Sequence, residues 1–580
     1  MSHSATMAGR WTRFMNRFEA RRAALARPVT AFVSQPEPRT IGSFARGRQL
    51  CAGNFVFAGH LVQDADSSIW AIDPPDAGFA EEIHGFVWLD DLAAAGDADA
   101  RKKAQDWLGG WILRYGRGRG PGWTPELTGR RLIRWINHAI FLLRGREGGP
   151  DDPFFRSLAQ QTIFLGRRWQ SSRPGLPRFE ALTGLVYAGL SLEGMEHLIP
   201  PATAALEREC RAQVDAQGGI PTRNPEELLE VFTLLSWAAV ALSEAGRNPG
   251  TEHWAAVERI SPTLRTLRHA DGGLARFHGG GRGLEGRLDN ALATSGVKNR
   301  QPDGLSMGYA RLSAGRTSVI IDAAAPPAGR ASGNAHASTL AFELTSGRRP
   351  LIVNCGSGAS FGLDWRRAGR ATPSHSTLIL AGQSCGQLET DQGPVEWLEE
   401  TAQDVPIQMT QAPDGLRFEG GHDGYLDSSG LTHVRKLDLT FDGRGLAGED
   451  MLVCVTDAAK RRFDRAMDAV RLQGIPYNVR FHLHPDVDAS VDMGGAAVSM
   501  ALKSGEIWIF RSDGRTNLSL EPSVYLEKTR LKPRAAKQLV LSGSAMEYAT
   551  RTRWSLSKAQ DTPVSIRDLA QDELEPVAEE

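Results

Sequence analysis

Cysteine is scarce and scattered in this chain. Its five cysteines, Cys51, Cys210, Cys355, Cys385 and Cys454, include no CxxC pair. That argues against a cysteine metal cluster and a disulfide framework. Small buried thiols are the expected state, although Cys355 and Cys385 flank one stretch and can approach each other. Charge of one sign is also lacking. A formal net charge of −1 gives no bulk field toward nucleic acid. No apolar run is long enough to span a membrane, and the N-terminus lacks a secretory apolar core. A cytoplasmic or inner-membrane-peripheral location is therefore expected. Tyrosine is short too, with seven against fourteen tryptophans. Indole faces stack on sugar rings, but helix interfaces are the commoner place for them.

What is present is a chain of 580 residues, 41% hydrophobic and 23% charged. That is too long for one core and calls for two large domains plus tails. Residues 1–40 form a basic amphipathic segment. Trp11, Phe14, Met15, Phe18 and Leu25 fall on one helical face, and Arg10, Arg13, Arg17 and Arg21 on another. Residues 10–25 are thus a candidate for peripheral membrane contact, with packing on the chain's own domain as the alternative.

Residues 41–75 read as a small extended or hairpin-like cap. Helical spacing then recurs through 83–115 and over 126–145, 153–170, 176–193, 200–214, 225–244 and 251–268, separated by Gly/Pro turns. This predicts an α-helical array or toroid over 41–290. Residues 278–304 are Gly-rich without a sustained period and read as a linker, assigned to 291–304, folded over the site. From 305 to 560 the period becomes two and turn signals recur at short intervals, as in an antiparallel β-sandwich. The acidic end, 561–580, reads as a solvated tail.

The stretch Gly333–Leu380 carries the chemistry. His336 and His375 each open an apolar segment, a strand between them ends at Asn354 and Cys355, and a loop holds Arg366, Arg367 and Arg370. Arginine forks suit carboxylates. In the helical half, Arg131, Trp135 and His138 stand at i, i+4 and i, i+3 spacing with Asn137 beside them. They are candidates for stacking on a sugar and meeting its charge, or for a buried polar network. Arg223 and Glu227 read as an i, i+4 pair, and Tyr187 as a core residue. His482 and His484 point to one face of a strand.

The motifs GNAHASTLAFEL and SHSTL, with the later HDGY and RFHLHPDV, resemble those of the heparinase II/III family of polysaccharide lyases. The resemblance implies an α+β multidomain fold, an N-terminal incomplete (α/α) toroid followed by a C-terminal antiparallel β-sandwich. It implies β-elimination of an acidic, uronic-acid-containing polysaccharide or oligosaccharide in the cleft between them. That reaction needs a neutraliser for the C5 carboxyl group, a base and an acid, and no cofactor. The candidate catalytic set is Asn334, His336, His375, Arg370 and Tyr309, where Tyr309, or Tyr425, would supply the missing acid if it faces the cleft. Arg131, Trp135, Asn137, His138, Arg366 and Arg367 would bind substrate. Some members hold a structural zinc at the positions of His336, Asn354 and His375. The chain departs from the pattern at four places, one of them Ser338, which stands where the motif usually has Asp. Asn334 stands where a catalytic His is usual, Leu176 and Pro177 stand where an Asn-His pair is usual, and Glu227 replaces a Tyr. A catalytically silent carbohydrate-binding or scaffold member is therefore the alternative expectation.

Overall fold

The computed structural model describes residues 7–561, except 27, 28, 30, 35, 36, 66, 146–151, 299–303, 390–395 and 400. The acidic tail past Asp561 and part of the linker lie outside the described residues.

Thirteen helices precede Tyr309 among these residues. They are α1 (Met7–Ala23), α2 (Phe44–Cys51), α3 (Ala77–His84), α4 (Val87–Ala95), α5 (Ala98–Tyr115), α6 (Pro125–Asn137), α7 (Ala139–Leu143), α8 (Pro153–Arg168), α9 (Leu176–Ser191), α10 (Ile199–Gln213), α11 (Pro225–Glu244), α12 (Thr251–Thr266) and α13 (Arg287–Ser295). Local signals set their starts. Asp76, Asp97, Thr124, Asp152 and Asn224 accept first-turn N–H groups, and Pro125, Pro153 and Pro225 open helices where their missing donor costs nothing. Helix α9 is buried on almost every side and packs on α6, α8, α10 and α11. Gly129 and Gly184 permit this. A Cβ on Gly184 would lie 2.5 Å from the Gly129 Cα, so α6 and α9 meet backbone to backbone.

Three expectations are corrected here. FARGRQLC, expected to be extended, is α2, because Ser43 caps it by accepting from the Arg46 N–H. The helix expected over 126–145 breaks at His138 into α6 and α7. The stretch 278–304 is not wholly linker. Leu288, Ala291, Leu292 and Ser295 point inward at helical spacing and make α13.

The C-terminal half is two eight-stranded sheets whose pairings are antiparallel. The first runs, in spatial order, Asn517–Tyr525, Arg534–Ala545, Ile475–Leu483, Arg349–Val353, Phe342–Ser346, Thr317–Asp322 and Tyr309–Ala314, with Leu378–Leu380 also on Ile475–Leu483. The second runs Ile407–Ala412, Gly415–His422, Thr432–Thr440, Gly445–Val453, Ala549–Gln560, Ile507–Ser512, Ala497–Ala501 and Asp488–Asp492. Between them Phe342 stacks on Trp554 at 5.9 Å, and Phe481 meets Trp554 edge-on at 4.7 Å. The fold is the toroid plus β-sandwich that the motifs implied. Arg366, Arg367 and Arg370 are not on a loop but on α14 (Leu363–Arg370).

The helical core takes in Tyr309, Ile320 and Ala341 from the sandwich side. The two halves therefore share a seam, and the candidate site lies on it.

Candidate functional site

Asp322 ends a sandwich strand at the seam and is fully buried. Arg223, from the turn before α11, brings Nη2 to 2.6 Å from its Oδ1. Ser338 donates to Oδ2 at 2.6 Å, and His278 Nε2 stands 3.4 Å from the same oxygen. Burial alone would raise the Asp322 carboxyl, but Arg223, His278 and Ser338 outweigh it and hold the group well below the usual carboxylate range. The remaining Arg223 donors go to the carbonyls of Met307, Gly308, Ala324 and Ala325. The expected Arg223–Glu227 pair is thus replaced by one to Asp322. Ser338, standing where the motif usually has Asp, serves this carboxylate instead.

His278 ties the seam to the histidine motif. Its Nδ1 accepts from the His336 backbone N–H at 3.1 Å. The neutral ring therefore carries its proton on Nε2, facing Asp322. The His336 and His375 rings lie 5.1 Å apart, both buried. His336 Nδ1 has no hydrogen-bond partner. His375 has no well-formed hydrogen bond on either ring nitrogen, only a loose approach to the Gly369 backbone. Burial, with neighbouring imidazoles, pushes His336 well below its usual value and His375 down to about 3. Both rings are neutral near pH 7, and neither reaches open solvent.

The other expected catalytic side chains are structural. Tyr309 is buried, and its hydroxyl donates to the Arg223 carbonyl at 2.6 Å. Tyr425 is buried and donates to the Leu378 carbonyl at 2.9 Å. Neither hydroxyl is placed to protonate a bound sugar. Arg370 is buried and clips three carbonyls, those of Ser332, Ala335 and Glu396. Burial, with Arg366 beside it, lowers its guanidinium to about 10. Arg367 pairs with Glu396 at 2.5 Å, and Arg366 donates to the Gly333 carbonyl at 2.7 Å. Asn334 alone of the motif is exposed, with Oδ1 3.4 Å from Arg366 Nη2.

The proposed sugar platform on α6 faces the helical core. Arg131 is fully buried, bonds Gln161, Thr128 and the carbonyls of His84 and Gly122, and lies 4.2 Å over the Trp111 ring. Burial lowers it to about 9. Trp135 stacks on Phe154 at 5.6 Å, and Asn137 is buried with its amide unpartnered. His138 is 3.0 Å from Asp90. None of these four can meet a polymer in the cleft.

Nor does the expected zinc set assemble. Asn354 accepts from the Ser376 N–H at 3.0 Å, and its amide lies 3.3 Å from Glu343. With that side chain committed, His336 and His375 present two imidazoles and no third donor, which does not fit a tetrahedral zinc centre. All five cysteines are free thiols.

The glycine run 279–281 fills the space between the halves. A Cβ on Gly279, where φ is +85°, would lie 3.0 Å from the Asn334 Cβ, and one on Gly280 would lie 2.6 Å from Asn224 Oδ1. Gly281 donates to Glu226, which also pairs with Lys528 at 2.5 Å. Further ties cross the seam. His269 lies 3.1 Å from Glu343, and Arg276 donates to the carbonyls of Cys355 and Leu526. Sequence reasoning missed Asp322, His278 and Arg276. Only the charged residue inside the apolar strand TSVIID hinted at a buried partner.

A family model described as Heparinase II/III-like, C-terminal, matches residues 297–555. FtsZ-localized protein C of Caulobacter vibrioides (strain NA1000 / CB15N) is 30% identical over 552 residues, which is 93% of this chain and 92% of that protein. The chain belongs to the heparinase II/III-like family. A solved heparinase III superposes with a TM-score of 0.68 at 12% identity, over 94% of this chain and 89% of that one. A mutant heparan sulfate lyase from Pedobacter heparinus gives 0.57 at 14%, over 97% and 90%. At these identities the likeness is one of fold. Within the heparinase II/III-like frame, Leu176 and Pro177 begin α9, and Glu227 sits in the first turn of α11. Burial raises the Glu227 carboxyl.

Proposed function

We propose that this heparinase II/III-like protein uses the lyase fold as a non-cleaving scaffold. One observation carries the reading. The imidazoles and phenols that β-elimination would draw on are buried, Tyr425 within the sandwich core and the others at the seam, and both phenols donate to backbone carbonyls. An acid or base must come within hydrogen-bond reach of the group whose proton it moves, about 3 Å between heavy atoms or through one water. His336 and His375 lie beneath the surface, and Asn334 has no proton-accepting nitrogen in the range of biological pH. The relative from Caulobacter vibrioides is named for localisation with FtsZ, and its likeness extends over both halves of this chain. The reading therefore assigns this protein to FtsZ assemblies. Co-sedimentation with FtsZ filaments tests it. Pelleting that depends on polymerised FtsZ is the expected outcome, and pelleting indifferent to FtsZ sinks the assignment.

A second reading keeps β-elimination of an acidic polysaccharide. What favours it is the seam's mouth, where the exposed Asn334 amide stands beside Arg366, and Lys528, packed on Gly281, acts on the charge of the half-buried Glu227. An amide and two cations suit a uronate carboxylate. Glu227 would then be the base, and Glu227→Gln would abolish turnover without loss of glycan retention.

A further inference from the structure

Helix α1 packs by its small side. Gly9, Asn16, Ala20 and Ala23 are its buried residues, and they face α8. Gln160 donates to the Ala20 carbonyl at 2.9 Å, and Arg168 to Asn16 Oδ1 at 2.8 Å. The helix is thereby fastened to the toroid. At about 100° per residue, Trp11, Phe14 and Phe18 are centred on the opposite side. They are 64%, 57% and 50% exposed. Met7 and Leu25, both 87% exposed, extend the strip at its ends. This inverts the usual amphipathic helix, whose large apolar face is the one that is covered.

The charge beside the strip is of one sign. Helix α1 has five arginines, Arg10, Arg13, Arg17, Arg21 and Arg22, against one acid, Glu19. Glu19 is taken up by Arg22 and Arg167. Arg117 and Arg119 are exposed on the turn whose Gly118 lies against Ala20 and Arg21. An arginine-flanked strip of Trp and Phe suits the boundary between anionic headgroups and acyl chains. It suits a second protein copy poorly. A strip roughly 25 Å long and about 10 Å wide falls well short of the roughly 800 Å² per partner that a stable interface covers.

We propose that α1 docks flat on an anionic lipid surface, with Trp11, Phe14 and Phe18 inserted at the headgroup boundary and the flanking arginines on lipid phosphates. No helix among the described residues is long and apolar enough to cross a membrane, and this contact requires none. It is independent of the seam, because none of these residues touches it.

The test is flotation of the full-length protein with phosphatidylglycerol–phosphatidylethanolamine vesicles and with phosphatidylcholine vesicles. Binding to the anionic vesicles alone, weakened by salt, is expected. Trp11→Ser/Phe14→Ser/Phe18→Ser should lower partitioning about tenfold or more, and Arg10→Glu/Arg17→Glu should do likewise. All five positions are exposed, so circular dichroism should show both variants folded. Equal flotation of wild type and the aromatic variant overturns the proposal, as does equal binding to both lipids. A wild-type dimer that the aromatic variant lacks, with no vesicle binding, would make the occupant a second copy and also overturn it.

Discussion

Arg223 and Asp322 join the two halves of the molecule through a bond of 2.6 Å, in a setting where Asp322 is fully buried. The carboxylate accepts hydrogen bonds from Arg223 and Ser338, and His278 Nε2 faces it at 3.4 Å. Removing one partner of such a buried pair leaves a charge without compensation, which costs about 3–5 kcal/mol. Asp322→Asn should therefore lower unfolding stability by that order, read from urea denaturation. Arg223→Met/Asp322→Leu should cost less than the sum of the single changes. A loss under about 1 kcal/mol for Asp322→Asn would contradict the assigned role.

The buried histidines make the fold sensitive to acid. His84 and His375 are pushed to about 3, chiefly by burial, and His278 and His336 are also lowered. In the unfolded chain each titrates near its ordinary value of 6.5. Between those limits the unfolded state binds more protons, so stability is fully present above 6.5 and is lost as pH falls toward 3. Asp91, raised to about 6 by burial, works the other way, since its burial penalty is relieved as pH falls. Burial raises Glu82, Glu180 and Glu227 likewise, while Asp322 and Asp450 are held low and side with the histidines. Thermal unfolding at about pH 5 should come several degrees below that at about pH 7.5, and a flat profile would contradict the neutral cluster.

Arg131 separates core from binding platform. Arg131→Lys cannot reproduce the planar set of donors to Gln161, His84 and Gly122. A loss of about 2–4 kcal/mol in stability is expected, with retention on immobilised acidic glycans unchanged. Unchanged stability with lost retention would return Arg131 to the cleft.

Zinc provides a further check. With Asn354 held by Ser376 and Glu343, purified protein should contain no stoichiometric zinc by elemental analysis. Chelator should leave the unfolding midpoint unchanged. One equivalent of zinc, lost in His336→Ala, would contradict the placement of Asn354.

Helix, strand and family were legible because they rest on local period and motif. The i, i+4 repeats gave most of the toroid, and alternation gave the strands. The helix α13 was hidden by glycines on both sides of a nine-residue apolar pattern. The site was much less legible. Arg223 and Asp322 are 99 residues apart, and no local spacing connects them. The Arg131–Trp135–His138 spacing was real, but spacing fixes a helix face and not whether that face looks into a cleft or a core. Here Trp111 and Phe154 cover it. The exposed aromatic strip of α1 was the reverse case. The pattern was visible, and only packing by Gly9, Ala20 and Ala23 reveals which side is left outside.

We propose above that the seam does not support elimination. The most direct test of that proposal follows absorbance of the unsaturated uronate product. Full-length protein would be incubated with heparin, heparan sulfate, alginate and hyaluronan, beside His336→Ala and Glu227→Gln. The account predicts no product above a protein-free control on any of the four. Steady product formation by wild type that either substitution abolishes would contradict it.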